Sequence, residues 1–246
     1  DASSLAGFAL ILPVVAWGYH RDHDRWLRAC ATWAAAGLPV ANPPSVLAWN
    51  SDKSYLGRLA DRGVPVPPTV WTQGVTADQV VAAFAQTGAP RLIVKPTVSG
   101  GAWRTLRLSP GQALVDPPVG RAMIQPYLPT IETEGETSLL FFGGRLSHVV
   151  NKRPVDGDFR IQVQFGGLYA ALAEPPPGTL ETAERLLAAI DEDLLYARID
   201  LAPDGTGGWL LMEAELIEPD FYLAHDPRNG AGFVQTVKAR LSSPRP

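Results

Sequence analysis

The sequence has a single cysteine, Cys30, so no disulfide bond can form within the chain. This fits a reducing compartment, and we expect a cytoplasmic protein. Long basic runs are also missing, because 21 Lys and Arg are scattered along the chain and 25 Asp and Glu outnumber them. This charge balance argues against a nucleic acid as the main partner.

No apolar segment is long enough to cross a bilayer. The longest, residues 6–17, contains Pro13 and is shorter than the roughly 20 residues that a membrane-spanning helix needs. No basic segment precedes it, so it is a poor signal peptide, and we expect no membrane partner. We predict a buried strand over residues 8–17. Because the chain begins at Asp1 without an initiator Met, we expect a processed or truncated N-terminus.

The 246 residues are 46% hydrophobic, enough for the packed core of one large domain or two small ones. Apolar periodicity alternates between helical and strand spacing, which predicts an α+β fold with mostly antiparallel sheets in the second half. Thr76 and Gln79 have the spacing of a capping box, and Gly88 follows as the helix end. Helices are predicted over 24–36, 51–61, 76–88, 179–194 and 232–241. Strands are predicted over 8–17, 91–96, 103–108, 123–127, 137–142, 145–150, 196–202 and 209–216, with one or two more in 159–172.

Three acids are predicted to meet on the hairpin formed by residues 196–202 and 209–216. If it folds symmetrically about Thr206 and Gly207, Asp200 lies opposite Glu213, and Glu215 follows on the same face. Such acids repel one another, and a hard cation with oxygen ligands removes that penalty. A solvated acidic sheet face is the alternative. Apolar residues flanking the acids favour the metal site.

Lys95 ends the apolar segment 92–94 and precedes the glycine turn of Gly100 and Gly101. A lysine at this position can reach an anion, and backbone N–H groups of a glycine loop can close over phosphates. An exposed lysine and an ordinary hairpin turn are the alternatives. The loop lacks the Gly-Lys-Ser/Thr ending of a Walker A motif. A second lysine, Lys53, follows a segment in which Asn50 or Ser51 is predicted to cap a helix.

Taken in order, these segments resemble the ATP-grasp superfamily, in the branch of glutathione synthetase and related ligases. The matching segments are Asn50-Ser51-Asp52-Lys53, Ile93-Val94-Lys95-Pro96, Ser99-Gly100-Gly101, Gln125-Pro126-Tyr127-Leu128-Pro129, Arg198-Ile199-Asp200 and Met212-Glu213-Ala214-Glu215. The resemblance implies two α+β subdomains that sandwich a nucleotide, after a partial α/β N-terminal domain. The implied boundaries are 1–48 for the N-terminal remnant, 49–128 for the small subdomain and hinge, and 129–246 for the large subdomain with the metal site.

Residues 125–136, 152–154 and 157–160 are similar to a narrower group, which includes the D-cycloserine-forming cyclo-ligase that closes O-ureido-D-serine with ATP. The resemblance therefore implies an ADP-forming ligase acting on a small-molecule carboxylate, with ring closure as the sharper version and a role in antibiotic biosynthesis. An acyl phosphate would form first, and an amine-type nucleophile would then displace phosphate. A nucleotide-binding regulator and a kinase are the alternatives. The relatives also make a homo-oligomer an expectation.

The resemblance implies a role for each matched residue. ATP and two Mg²⁺ are the implied cofactors. Lys53 and Lys95 would contact the ATP phosphates and the adenine edge, and Ser99, Gly100 and Gly101 would form the flap over the phosphates. Gln125, Tyr127 and Leu128 would line the adenine pocket, and Glu136 would hold the ribose hydroxyls. Asp200, Glu213 and Glu215 would ligate magnesium, and Arg160 with Lys152 or Arg153 would stabilise the transferring phosphoryl group.

Two departures from the glutathione synthetase pattern are visible. Glu215 stands where those ligases have Asn, and it remains a competent magnesium ligand. The N-terminal domain is fuller in the family than the one strand and one helix predicted here. Glu218, Pro219, Phe221 and Tyr222 follow the metal strand and either line the substrate pocket or serve packing. The four His have no ligand spacing, and Cys30 is predicted to be buried on a helix.

Overall fold

The computed structural model describes residues 2–242. Its helices are α1 (Ala2–Leu5), α2 (His23–Ala35), α3 (Pro44–Asn50), α4 (Tyr55–Asp61), α5 (Ala77–Thr87), α6 (Thr130–Thr133), α7 (Thr179–Ile190) and α8 (Ala231–Ser242). Its strands are β1 (Val70–Gln73), β2 (Leu92–Pro96), β3 (Leu106–Leu108), β4 (Arg121–Pro126), β5 (Glu136–Phe142), β6 (Arg145–Arg153), β7 (Leu168–Leu172), β8 (Tyr196–Pro203) and β9 (Trp209–Glu215). Residues 1 and 243–246 lie outside this range.

The smaller sheet has four antiparallel strands in the order β1-β4-β2-β3. Its alternate residues Leu92, Val94 and Ile124 pack against helix α5 in one buried cluster. Because successive strand residues point to opposite faces, Ile93, Lys95 and Gln125 face the other way. The helix on one side thus leaves the opposite face free for a ligand.

The larger sheet has five antiparallel strands in the order β7-β6-β5-β8-β9. Leu139, Ile199 and Leu201 on one face pack against Leu186 and Ile190 of α7 in the main core. The opposite face carries the intervening residues of the same strands, which are polar where they face the smaller sheet. The same alternation that builds the core therefore builds a charged surface on the other side.

Most of the predicted elements are confirmed. Helix α5 has the complete capping box of Thr76 and Gln79, and Gly88 ends it with a positive φ of 62°. The β5–β6 and β8–β9 hairpins form in the predicted segments. The segment 159–172 contributes one strand, β7, after a 3₁₀ turn. Cys30 is 2% exposed, as predicted.

The strand predicted over residues 8–17 is wrong. Only Ile11 makes a β-bridge, parallel to Val40. Pro13 has no N–H to donate, and its carbonyl accepts from Ala16 at 3.0 Å, so the chain turns there instead of extending. Apolar residues of this segment, including Leu12 and Val14, still pack on the larger sheet.

The predicted start of the helix over residues 51–61 is also wrong. Asn50 ends α3 rather than capping the next helix, because its side chain bonds the Ala214 carbonyl at 2.8 Å and the Leu216 N–H at 3.0 Å. Helix α4 begins four residues after Ser51, at Tyr55. Thr179 is the first residue of α7, and its hydroxyl donates to the Pro176 carbonyl at 2.6 Å instead of capping the helix.

Asn42 joins the N-terminal segment to the larger sheet. Its amide donates to the carbonyls of Tyr196 and Leu216 at 2.9 and 2.8 Å, and its carbonyl accepts from the Leu195 N–H at 2.7 Å. The residue is fully buried. It therefore satisfies backbone groups that water cannot reach.

We expect Asn42→Leu to destabilise the protein by about 3 kcal/mol or more, because three backbone groups are left unsatisfied at a cost of about 1–3 kcal/mol each. Urea unfolding of the variant and the parent measures the difference. Asn151→Leu is the matched control, since Asn151 is only part-buried and bonds one carbonyl, that of Glu134. Equal losses in the two variants would contradict the role given to Asn42.

No helix in residues 2–242 combines the length and the hydrophobicity that a bilayer-spanning segment needs.

Candidate active site

A cavity of about 1380 Å³ lies between the polar face of the larger sheet and the free face of the smaller one. The N-terminal segment from Trp17 to Arg21 and the loop containing Arg160 also line it. All but one of the predicted site residues face this space. They are Lys53, Lys95, Ser99, Gly100, Gly101, Gln125, Tyr127, Leu128, Glu136, Lys152, Arg160, Asp200, Glu213 and Glu215.

Arg153 is the exception. It follows Lys152 on β6, and adjacent strand residues point to opposite faces, so its side chain leaves the cavity. The guanidinium is exposed and donates to the Asn151 amide oxygen at 3.1 Å. The suggestion that Arg153 contacts the transferring phosphoryl group is therefore wrong for this conformation.

The two lysines expected at the phosphates differ in their partners. Lys53 Nζ lies 2.9 Å from Glu213 Oε1 and donates to the Ser99 carbonyl at 3.0 Å. Lys95 has no ion-pair partner among residues 2–242. Burial lowers the pKa of Lys95, Glu213 acts against that change, and Lys53 adds to it. Lys95 is thus the cation with the most to gain from an anionic ligand.

The glycine loop from Ser99 to Gly101 is held close to the N-terminal segment. A Cβ at Gly100 would lie 3.1 Å from Nδ1 of His20, so a side chain here would push against that ring. Gly101 has a positive φ of 60°, which glycine adopts without strain. The absence of a side chain at Gly100 therefore lets the loop lie against His20.

The opposite end of the cavity has the features of a nucleobase pocket. Gln125 is 3% exposed and donates to the Thr69 hydroxyl at 2.9 Å. The N–H of Leu128 has no acceptor within the described chain, whereas the N–H of Tyr127 donates to the Arg91 carbonyl at 2.9 Å. Leu128 therefore offers a backbone donor, and Tyr127 does not.

The predicted acidic cluster forms in the expected register. Asp200 pairs with Glu213 across β8 and β9. Glu215 pairs with Arg198, two residues further from the turn along each strand. Arg198 Nη2 lies 3.0 Å from Asp200 Oδ2 and 2.5 Å from Glu215 Oε1. The acids are therefore compensated by an arginine on the same sheet face, which sequence reasoning did not assign to the site.

A second ion-pair group lies beside them. Lys152 Nζ is 2.6 Å from Glu136 Oε1 and 3.1 Å from Asp200 Oδ2, and all three side chains are buried. Burial disfavours the charge of Lys152, but Asp200 and Glu136 outweigh it and raise its pKa. Lys152 and Glu136 thus neutralise each other here, rather than standing free for a phosphoryl group and a ribose.

The fit of a magnesium ion differs among the three acids. Asp200 already receives Arg198, Lys152 and the Ser138 hydroxyl, so it can reach a metal only by giving up one of these bonds. The side chains of Glu213 and Glu215 are 32% and 29% exposed, and each has a single ion pair. Residues 2–242 contain no preformed group of three or more His, Cys, Asp or Glu with metal-binding geometry.

The charge around Glu215 nevertheless favours a cation. The pKa of Glu215 is raised to about 7, chiefly by burial and further by Glu213 and Asp200, with Arg198 acting in the opposite direction. An ion with oxygen ligands would relieve that repulsion. The donor set therefore fits Mg²⁺, with Glu213 and Glu215 as the accessible ligands and Asp200 as one that must rearrange.

Arg160 reaches the cavity from the loop before β7. Its guanidinium forms two bonds to Asp158, from Nε at 3.0 Å and from Nη2 at 2.7 Å, and lies 3.7 Å from the centre of the Phe165 ring. Its side chain is 38% exposed. Arg160 is thus held within its own loop and remains accessible to an anion.

Sequence reasoning missed several lining residues. Met212 and Ile93 contribute apolar surface to the cavity, one from each sheet. Alternation gives the signal for Ile93, which is two residues before Lys95 and therefore shares its face. Met212 is next to Glu213 and lines the cavity at the register shift of the β8–β9 pair, where simple alternation does not hold. Tyr19 and His20 lie in a short 3₁₀ turn, Tyr19–Asp22, which no sequence pattern indicated. Of the residues left open between pocket and packing, Glu218 and Tyr222 line the cavity, whereas Phe221 packs against the cluster of Phe142 and Tyr196.

No family model matches the chain. It is 29% identical over 224 residues to the cycloserine biosynthesis protein DcsG of Streptomyces lavendulae, a match covering 82% of this chain and 73% of that protein. It is 28% identical over 221 residues to a glutathione synthetase of Prochlorococcus marinus (strain MIT 9313), covering 84% of this chain and 65% of that one.

The fold of this chain is also similar to that of solved structures. The crystal structure of D-cycloserine synthetase DcsG superposes with a TM-score of 0.82 at 24% identity, over 97% of this chain and 86% of that one. The ATP-grasp ligase PsnB, solved with a precursor variant, Mg and ADP, superposes with a TM-score of 0.64 at 19% identity, over 89% and 67%. The expected α+β ATP-grasp fold and the ligase class of enzyme are confirmed.

Proposed function

We propose that this ATP-grasp ligase binds ATP with Mg²⁺ and activates a substrate carboxylate as an acyl phosphate, which an amine-type nitrogen then attacks. One observation carries the proposal. A single cavity brings together an unpaired lysine on the smaller sheet and a cluster of acids on the larger one, Lys95 and the group around Glu213. Phosphates need the first, and the magnesium that accompanies them needs the second.

The nucleotide would lie between the two sheets. The free N–H of Leu128 can donate to a ring nitrogen of adenine, with Met212 and Ile93 as apolar surfaces on either side. Lys95 would bind the phosphates, joined by Lys53 if it releases Glu213. Magnesium, two ions by the resemblance, would be held by Glu213, Glu215 and Asp200, and would neutralise charge on the phosphates.

Arg160, on the loop before β7, would contact the transferring phosphoryl group. Phosphoryl transfer depends on positioning and charge neutralisation more than on covalent help from the protein. In the first step a carboxylate oxygen attacks the γ-phosphorus and ADP leaves. In the second a nitrogen attacks the acyl carbon, and the carbon–oxygen bond to phosphate breaks.

We propose further that carboxylate and nucleophile belong to one molecule, so that the product is a ring. The similarity to a cycloserine biosynthesis protein over 82% of the chain supports this, and O-ureido-D-serine is the substrate that it suggests.

The test is ADP release from ATP and Mg²⁺ in the presence of O-ureido-D-serine and a panel of amino-acid carboxylates, with and without hydroxylamine. Hydroxylamine converts an acyl phosphate to a hydroxamate, so a ligase gives hydroxamate. Ring closure of O-ureido-D-serine releases phosphate, and water must also remove the carbamoyl group as carbon dioxide and ammonia, so D-cycloserine marks ring closure together with that hydrolysis. A stable phosphorylated product would indicate a kinase instead. Nucleotide binding without any ADP release would favour the regulator.

We expect Lys95→Met to raise the KM for ATP by about 10- to 100-fold, because hydrogen bonds to charged groups contribute about 1.5–3 kcal/mol. Initial rates at varied ATP measure it. Lys238→Met, an exposed position on α8, is the control and should leave the KM unchanged. An unchanged KM in Lys95→Met would contradict a phosphate-binding role.

A further inference from the structure

Of the four histidines, all within residues 2–242, His20 alone lines the cavity. It lies in the short turn before α2, and its side chain is part-buried. The ring faces those of Tyr19 and Trp103, with ring centres 6.0 and 6.4 Å away, and it borders Gly100 of the flap, residues 99–101. None of these contacts is a hydrogen bond to a ring nitrogen. Within the described chain, the imidazole thus keeps both nitrogens for a ligand.

The flap, the acidic cluster and His20 meet around Lys53. The ammonium of Lys53 joins Glu213 Oε1 to the Ser99 carbonyl, at 2.9 and 3.0 Å. The next residue of the flap, Gly100, is so close to His20 that a Cβ there would lie 3.1 Å from Nδ1 and 3.2 Å from Cε1. An acyl phosphate formed between the flap and the acidic cluster would therefore lie close to the imidazole.

The charges around His20 favour its neutral form. Burial lowers its pKa below the ordinary value of 6.5, and Arg21 and Lys53 lower it further. Asp22, the acid of the same turn, is engaged as the cap of α2, and on the side of the flap the charged residue is Arg104. Positive neighbours disfavour an imidazolium. A neutral imidazole has a lone pair that can accept a proton.

We propose that His20 is the general base of the second step and takes the proton of the nitrogen that attacks the acyl carbon. This rests on the proposed function, since it takes the acyl phosphate as the intermediate. The attacking nitrogen carries one hydrogen more than the product amide does. As the carbon–nitrogen bond forms, that proton passes to the imidazole, and the carbon–oxygen bond breaks to release phosphate. The imidazolium then gives the proton to water.

The other groups of the site leave this proton without an acceptor. In the proposed function Lys95 binds the phosphates and the acidic cluster binds Mg²⁺, whereas His20 keeps a lone pair beside the flap. The need for a base is greatest with a ureido nitrogen. Its lone pair is delocalised into the adjacent carbonyl, so it attacks poorly until the N–H proton is removed.

The test separates the second step from the first. The probes are ATP, Mg²⁺ and O-ureido-D-serine, or any carboxylate of the panel that the parent protein joins to a nitrogen. His20→Gln should lower kcat for the ring or amide product by about 10²- to 10⁴-fold, the usual contribution of a general base. Hydroxylamine is a strong nucleophile that needs no base, so hydroxamate yield and the KM for ATP should stay within about threefold of the parent.

His225→Gln, at a part-buried position outside the cavity, is the control and should behave like the parent. His20→Asn replaces the Gln variant if that one does not fold. A product rate in His20→Gln equal to that of the parent would overturn the proposal. A loss shared equally by product and hydroxamate would also overturn it, because His20 would then act on the first step or hold the flap.

The pH dependence and added imidazole distinguish a base from a residue that only supports the flap. A base must be neutral, so the parent rate should fall as the pH decreases through the lowered pKa of His20, and His20→Gln should lack that fall. Imidazole in solution should restore part of the product rate of the variant. A loss in His20→Gln that keeps the same pH dependence and gains nothing from imidazole would refute the base.

NMR titration of the imidazole, assigned by its absence in His20→Gln, tests the base without any substrate. We expect a pKa below 6.5, and an imidazole still protonated above about pH 7 would refute the proposal. Hydroxamate in the parent with an unaffected product rate in His20→Gln keeps the ligase and refutes the base. A parent protein that forms no hydroxamate from any probe refutes the ligase, and the base with it.

Discussion

Glu213→Gln is expected to abolish the magnesium-dependent stabilisation of the protein by ADP and to lower ADP-forming activity by about 10²- to 10³-fold. Glu213 is the acid that the cavity leaves both accessible and central, since it lies opposite Asp200 and its side chain is 32% exposed. Glutamine keeps the shape of the side chain and removes the charge that would hold the ion. Nucleotide affinity should fall mainly through the lost metal.

Thermal unfolding with ADP, with and without Mg²⁺, measures this effect. A ligand present at about 100 times its Kd stabilises the native state by about 2.7 kcal/mol, which corresponds to a rise in Tm of roughly 5–11 °C for a chain of this size. We expect that rise in the parent protein and its absence in the variant. Glu184→Gln, exposed on α7, keeps the same change of charge away from the cavity and should respond like the parent.

A second effect of Glu213→Gln separates a metal ligand from a structural acid. Lys53, whose side chain is 10% exposed, loses its ion-pair partner and keeps the Ser99 carbonyl, so the variant without ligands is expected to be less stable than the parent. If the ADP–magnesium rise survives in full while stability falls, Glu213 serves only to hold Lys53. That outcome would remove the metal site from the proposed function.

The register of the acidic hairpin could be predicted because it depends on two local rules. Side chains alternate along a strand, and residues equidistant from a tight turn face each other. Glu213 and Glu215, two residues apart on β9, obey the first rule. The second rule holds for Asp200 and Glu213 only through the register shift between Asp200 and Leu201. Next to the turn Leu201 pairs with Leu211, one residue off the predicted symmetry, and the shift brings Glu213 opposite Asp200.

The compensation of those acids could not be predicted from repulsion alone. A metal ion is not the only group that can neutralise the cluster, because Arg198 is two residues before Asp200 and so points to the same face. Its contact with Glu215 arises across strands, and the contact of Lys152 with Asp200 reaches over the intervening strand β5. Such contacts depend on strand order, which the sequence does not state directly.

The N-terminal wall of the cavity was missed for a different reason. Residues 8–17 are apolar, and that apolarity predicts a strand. The segment instead buries some of its side chains as irregular chain, with Phe8 and Trp17 exposed at 56% and 73%. Hydrophobicity without period-2 alternation does not distinguish these cases. Tyr19 and His20 line the cavity from the turn before α2, and Tyr19 packs on Trp26 of that helix, a tertiary contact that the local sequence does not indicate.

Arg198→Met is expected to destabilise the protein by about 3–5 kcal/mol, the usual result of removing one partner of a buried ion pair. Arg198 is 7% exposed in its side chain, and its loss would leave Glu215 without an ion pair and Asp200 with Lys152 alone. The corresponding fall in Tm is roughly 6–20 °C for a chain of this length. Methionine fills much of the same volume, so the result reports the charge rather than a cavity.

Magnesium decides what that destabilisation means. If Asp200 and Glu215 belong to the metal site, an ion should take the place of the guanidinium, and the Tm of Arg198→Met should rise with Mg²⁺ more than that of the parent. Calcium, another oxygen-seeking ion, should give a similar rise. Arg185→Met, which breaks an exposed pair with Glu181 on α7, is the control and should cost less than about 1 kcal/mol. If neither ion raises the Tm of Arg198→Met more than that of the parent, the acids serve to hold Arg198 and do not form a metal site.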